Sequence, residues 1–150
     1  MVSVKYVPSD MLINYVSGKL KEEKKIKEPN WVKFVKTGVS KEKPPLQDDW
    51  IYVRAASMLR KLYINGYLGI SRMSSEYGGK VDRGSKRYHA ASGSRSITRF
   101  LFHELESAGL VQKTQKGRSL SPQGMSLLDN ASKEIIKQLA QKDPLYEKFI

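Results

Sequence analysis

Apolar residues recur at helical spacing over most of the 150 residues, a two-faced central helix runs between an acidic start and a glycine stop, and a late apolar–polar alternation folds about a basic turn. Together these predict a mainly α fold: a winged-helix-type helical domain around a central amphipathic helix, with a small β-hairpin wing. At 39% apolar the chain suits one compact domain and is cramped for two. We divide it into N-terminal helices and connector (8–47), a winged-helix core (48–121), and a C-terminal helix and tail (121–150).

The first elements follow from local signals. Val2, Val4, Tyr6 and Val7 alternate with polar residues in a short extended arm. Pro8 suits a first helical position, and Leu12, Tyr15, Val16 and Leu20 recur at helical spacing, predicting a helix over about 8–25 that Pro29 stops. Its charged second half, KLKEEKKIKEP, is a solvated face. Asn30 caps a short second helix with Trp31, Phe34 and Val35 on one side, Trp31 in the core and Gly38 as terminator. Pro44 and Pro45 make the following stretch an extended, stiff connector.

The central helix spans 48–66, DDWIYVRAASMLRKLYING. Asp48 and Asp49 suit the positive end of its macrodipole, and Gly66 supplies a left-handed stop. Ile51, Ala55, Met58, Leu59 and Leu62 form the stripe to be buried, flanked by Tyr52 and Tyr63. Opposite, Trp50, Arg54, Ser57 and Lys61 fall in a row, with Arg60 at its edge. Either a neighbouring segment half-covers Trp50 and the cations are merely solvated, or an exposed indole among cations stacks on bases and neutralises phosphates.

Charge favours the second reading. Lys and Arg number 27 against 15 acidic residues, a net +12 with pI ≈ 9.8, and such a field attracts polyanions. No apolar run approaches the ~18 residues of a spanning helix and the N-terminus lacks a signal core, so nucleic acid is preferred to membrane. The absence of cysteine removes disulfides and thiolate zinc sites, and His89 and His103 alone make no histidine-rich metal site. We expect an intracellular protein without cofactor or metal.

Beyond Gly66 the sequence predicts a brief extended piece over 68–70 and a single helical turn ending at Gly78-Gly79. KVDRGSKRYHAASGSRS then has small residues and no apolar period, the pattern of a mobile basic loop that orders on a polyanion; it lacks the spacing of a phosphate-binding glycine motif. Ser94 or Ser96 caps the next helix. Ile97, Phe100, Leu101, Leu105 and Ala108 form its apolar side, Arg95, Arg99 and Glu106 its other face with Phe102 beside them, and Gly109 its end. Leu110–Gln112 and Arg118–Leu120, joined by KTQKG, make the hairpin, and Ser121-Pro122 opens a last helix with Met125, Leu128, Ile135 and Leu139 at helical spacing.

Nine cations against three acids between 80 and 120 carry half of the net charge. From charge and position the nucleic-acid-binding candidates, RNA-binding on the resemblance given next, are Trp50, Arg54, Ser57, Arg60, Lys61, Lys80, Arg83, Lys86, Arg87, Arg95, Arg99, Lys113, Lys116 and Arg118. No catalytic constellation emerges. His103 has Glu104 and Glu106 for neighbours in sequence but no nucleophile or oxyanion hole, and Asp48-Asp49 is explained as a helix start.

DWIYVRAASMLRKLYI, YGG, RGSKRY, SRSITRFLFHELESAGLV and GRSLSPQG, in that order and with VPSDMLINYV and WVKFVKTGVSKEKPP upstream, resemble the archaeal and eukaryotic small-ribosomal-subunit protein nineteen of the e-type. The resemblance covers nearly the whole chain. It implies a winged-helix-type protein of the small-subunit head, cytoplasmic within the ribosome. The implied partners are ribosomal RNA, its precursor and neighbouring small-subunit proteins, with a role in subunit maturation and precursor processing. It also implies an exposed central-helix patch at Trp50, Arg54 and Arg60 and a second basic patch at Arg99 and its neighbours. Residues 80–93 do not match position by position, so roles for Lys80, Arg83, Lys86 and Arg87 rest on charge. With no dimer seam, the free chain reads as a monomer. The alternative is a winged-helix DNA-binding transcriptional regulator that puts the helix over 96–109 into a major groove.

Overall fold

A computed structural model describes residues 4–149. Among them the chain forms α1 (Ser9–Glu22), α2 (Trp50–Asn65), β1 (Tyr67–Leu68), α3 (Ile70–Glu76), β2 (Gly79–Arg83), β3 (Lys86–Ala91), α4 (Arg95–Ser107), β4 (Val111–Thr114), β5 (Gly117–Leu120) and α5 (Pro122–Ala140). This is the mainly α, winged-helix-like arrangement expected. The wing gains a strand: β1 pairs antiparallel with β5, which pairs with β4, in the order β1-β5-β4.

The apolar stripe of α2 does what its spacing requires. Ile51, Ala55, Met58, Leu59 and Leu62 are buried in a core shared with Leu12, Val16 and Leu20 of α1, Leu101 and Leu105 of α4, and Leu128 and Ile135 of α5. Burial continues past the stripe to Tyr52 and Ala56, so α2 is covered on more than one side. Gly66, with φ +80°, ends it. No side-chain cap bond forms at Asp49, whose carboxylate instead lies 3.7 Å from Lys21 of α1.

α1 and α4 end in the same hydrogen-bond pattern. The Leu110 N–H donates to the Leu105 carbonyl and Gly109 to Glu106 (both 3.0 Å); Lys25 donates to Leu20 and Lys24 to Lys21 (both 3.3 Å). The residue after the cap is left-handed in both, glycine at Gly109 (φ +73°) but lysine at Lys24 (φ +47°). Thus α1 stops at Glu22, before the expected Pro29. At α5, the Ser121 hydroxyl accepts from the Gly124 N–H at 3.1 Å, the predicted Ser-Pro start.

Several expectations need correction. The first three residues of the expected arm lie outside the described residues, and Val4–Tyr6 is a 3-10 turn rather than extended. The second helix is only a 3-10 turn, Asn30–Lys33, which buries Val32 and leaves Phe34 80% exposed, while Trp31 packs edge-on against Phe100 at 5.2 Å. The turn after β1 is a two-turn helix, α3. Phe102 is fully buried, not beside the wet face, and Met125 is exposed.

The largest correction concerns 79–94. It is not an open loop: β2 and β3 form an antiparallel ribbon with Gly79 opposite Ala91, Val81 opposite His89 and Arg83 opposite Lys86. The Asp82 carboxylate accepts from the Gly84 N–H at 2.9 Å and Gly84 adopts φ +71°, closing the turn. Close backbone contact fixes the ribbon's root. Gly93 donates to the Ser74 carbonyl and Ser94 to that of Thr37, both at 2.9 Å. A Cβ on Gly78 would stand 2.4 Å from the Ala91 carbonyl oxygen, so only glycine fits there.

Candidate nucleic-acid interface

The predicted row on α2 meets α3 and its end. The Arg54 guanidinium lies 4.0 Å from the centroid of the Tyr77 ring, the Tyr77 hydroxyl donates to Ser57 Oγ at 2.8 Å, and Lys61 Nζ donates to Glu76 Oε2 at 2.8 Å while standing 5.3 Å from the same ring. A cation over an aromatic face is attracted by the ring quadrupole, the more so when partly dehydrated. Burial lowers the Arg54 pKa, partly offset by Tyr77, without removing its charge; burial raises that of Tyr77, with Ser57 and Arg54 opposing. The Lys61 hydrogen bond and charge hold the Glu76 carboxyl below its ordinary range. Beside this cluster opens a cleft of about 430 Å³, walled by Lys41, Lys43 and Pro45 of the connector and by Trp50, Arg54 and Tyr77.

Trp50 is not the exposed indole the helical wheel implies. It is 7% exposed, and its Nε1–H donates to the Val32 carbonyl at 3.2 Å. The 3-10 turn at 30–33 covers it, which the periodicity of its own helix does not report. Arg60 is half-buried, and its Nε has no hydrogen-bond partner among the described residues.

A second cationic group forms where α4 meets the wing. Arg118 Nε donates to Glu106 Oε1 at 3.0 Å, and the guanidinium stands 5.5 Å from the Phe102 ring. Arg118 and Glu106, with Arg99, Phe100 and His103, line a depression of about 410 Å³. Arg95 and Arg99 are exposed on α4, as are Lys113 and Lys116 on the wing, with Lys116 5.8 Å over the Tyr67 ring.

Lys80, Arg83, Lys86 and Arg87 form a third group on the β2–β3 ribbon, all exposed. None of the five ion pairs among the described residues engages them. A hollow of about 600 Å³ between α1 and the start of α5 holds none of the predicted cations. Among the described residues no group of His, Asp or Glu is arranged to hold a metal ion, and no helix is long and apolar enough to cross a membrane.

Sequence reasoning missed Tyr77, Glu76, Glu106 and Phe100 as parts of these groups. Tyr77, Glu76 and Glu106 each lie on an element other than that of the cation they touch, so spacing within one helix carries no sign of them. Tyr88, on the ribbon, was missed because its surroundings read as loop.

The profile of the family described as ribosomal protein S19e matches residues 3–138. The chain is similar over its full length to small ribosomal subunit protein eS19 of Thermoplasma acidophilum, at 83% identity over 150 residues covering all of both chains. It is also similar to the protein of that name from Aeropyrum pernix, at 44% over all of both chains. Against small ribosomal subunit protein eS19B of Schizosaccharomyces pombe the identity is 38% over 137 residues, 91% of this chain and 96% of the other.

Proposed function

We propose that this chain, which belongs to the ribosomal protein S19e family and so is a structural protein of the small ribosomal subunit, binds ribosomal RNA there through the three cationic groups and supports maturation of the subunit and of its precursor RNA. The observation that carries the reading is the 83% identity, over the whole of both chains, to a small-subunit protein. Membership of a structural ribosomal family sets aside the enzyme and DNA-regulator readings.

The geometry supports RNA of irregular shape as ligand. Such RNA is held through phosphates and hydroxyls at several separate places, not read by one helix in a groove, and here the cations are divided among α2, the α4–wing junction and the ribbon. A cation held by a neighbouring ring or carboxylate loses less freedom on binding an outside phosphate than a loose one. Arg54 on Tyr77 and Arg118 against Glu106 are two such cations. On this reading the free protein is a monomer whose partners are ribosomal RNA and adjacent small-subunit proteins.

The test is depletion in cells, reading subunit abundance and the ends of small-subunit RNA. Loss of free small subunits with accumulation of unprocessed precursor is expected; normal numbers of subunits with mature ends would overturn the assembly role.

A further inference from the structure

The ribbon is unlike the other cationic groups because none of its cationic side chains takes part in an ion pair or a ring contact among the described residues. It carries four cations against Asp82, whose carboxylate is turned inward on Gly84. Its one large aromatic, Tyr88, is 66% exposed.

The pairing register sorts the ribbon into two faces. Gly79, Val81 and Ala91 are the residues partly covered by the body, and Val81 is paired with His89. Lys80 pairs with Ala90, and alternation along β3 sets Tyr88 and Lys86 on the same face as Ala90. Every residue of that second face is exposed. It presents an aromatic ring between two lysines, with Arg83 across from Lys86 at the tip.

Resting on the ribosomal RNA reading above, we infer that Tyr88 is a base-stacking residue. It receives an unpaired base of the RNA on the open face of the ribbon while Lys80, Lys86 and Arg83 take the flanking phosphates. The chemistry favours RNA over a protein partner. Protein interfaces are depleted in lysine, and this face sets its one aromatic between two lysines. A splayed nucleotide needs one π-face and nearby positive charge. A perfect duplex offers no such base.

The experiment uses the full chain and two RNA probes: a small-subunit ribosomal RNA transcript with its loops, and a perfectly paired duplex of similar length. Tyr88→Ala should weaken transcript binding about ten-fold with an unchanged salt slope, Tyr88→Phe should stay within about two-fold of wild type, and neither should alter duplex binding. Thermal melting of both variants should match wild type, since the side chain is exposed. Equal transcript affinity for wild type and Tyr88→Ala overturns the inference and leaves the broader reading standing. So does a loss as large in Tyr88→Phe as in Tyr88→Ala, which would make the hydroxyl the contact. If Tyr88→Ala weakens transcript and duplex equally, stacking is also refuted. Wild-type protein that fails to bind the transcript refutes the ribosomal RNA reading itself.

Discussion

The cations of α2 and those of the β2–β3 ribbon carry the same charge in opposite circumstances. Arg54 and Lys61 are built into the protein, one on the face of Tyr77 and the other hydrogen-bonded to Glu76. Lys80, Arg83, Lys86 and Arg87 are exposed, and no ion pair among the described residues involves them. Residues that look interchangeable in the sequence therefore separate into half-buried cations that join two elements and exposed cations that make no such join among the described residues. Substitutions should tell the classes apart by whether stability and binding move together.

The largest effect belongs to neither class. Leu62→Ala opens a cavity at a fully packed position and should cost about 2–5 kcal/mol in chemical denaturation, with RNA affinity per folded molecule unchanged. Arg54→Ala comes next. A merely solvated cation could be removed with the fold intact, but the Tyr77 contact and the half-buried side chain predict a loss of about 1–2 kcal/mol together with weaker RNA binding. A variant with unchanged melting would put Arg54 in the same class as the ribbon.

Trp50→Phe sharpens the comparison from inside the helix. It leaves the Val32 carbonyl without its indole donor, so stability should fall by about 1 kcal/mol and RNA affinity should hold. A loss of affinity with stability intact would restore the indole to the interface. Lys24→Gly should stabilise by about 0.5–1 kcal/mol in thermal melting, since lysine there occupies the left-handed position that glycine holds at the end of α4.

How much of this was legible in the sequence depended on where a residue's partner lies. The α2 stripe, the Ser121-Pro122 start and the wing are readable because their cause is periodic or local: core spacing, a cap three residues before the N–H it serves, a turn between alternating strands. Trp50 was misplaced because what covers it comes from 18 residues upstream, and a helical wheel describes only its own helix. The ribbon escaped because most of its residues are exposed, leaving no buried–exposed alternation to follow; only Asp82 and Gly84 marked its turn. Among the site residues, the positions of the cations were visible but not their internal partners, Tyr77, Glu76 and Glu106, which decide how each cation is used.

The measurement closest to the central claim is the salt dependence of RNA affinity, wild type against a variant with Lys80, Arg83, Lys86 and Arg87 all changed to Gln. The account predicts an unchanged melting temperature and a log–log salt slope shallower by about 2–4, as expected for up to four lost phosphate contacts. A slope equal to that of wild type would contradict it.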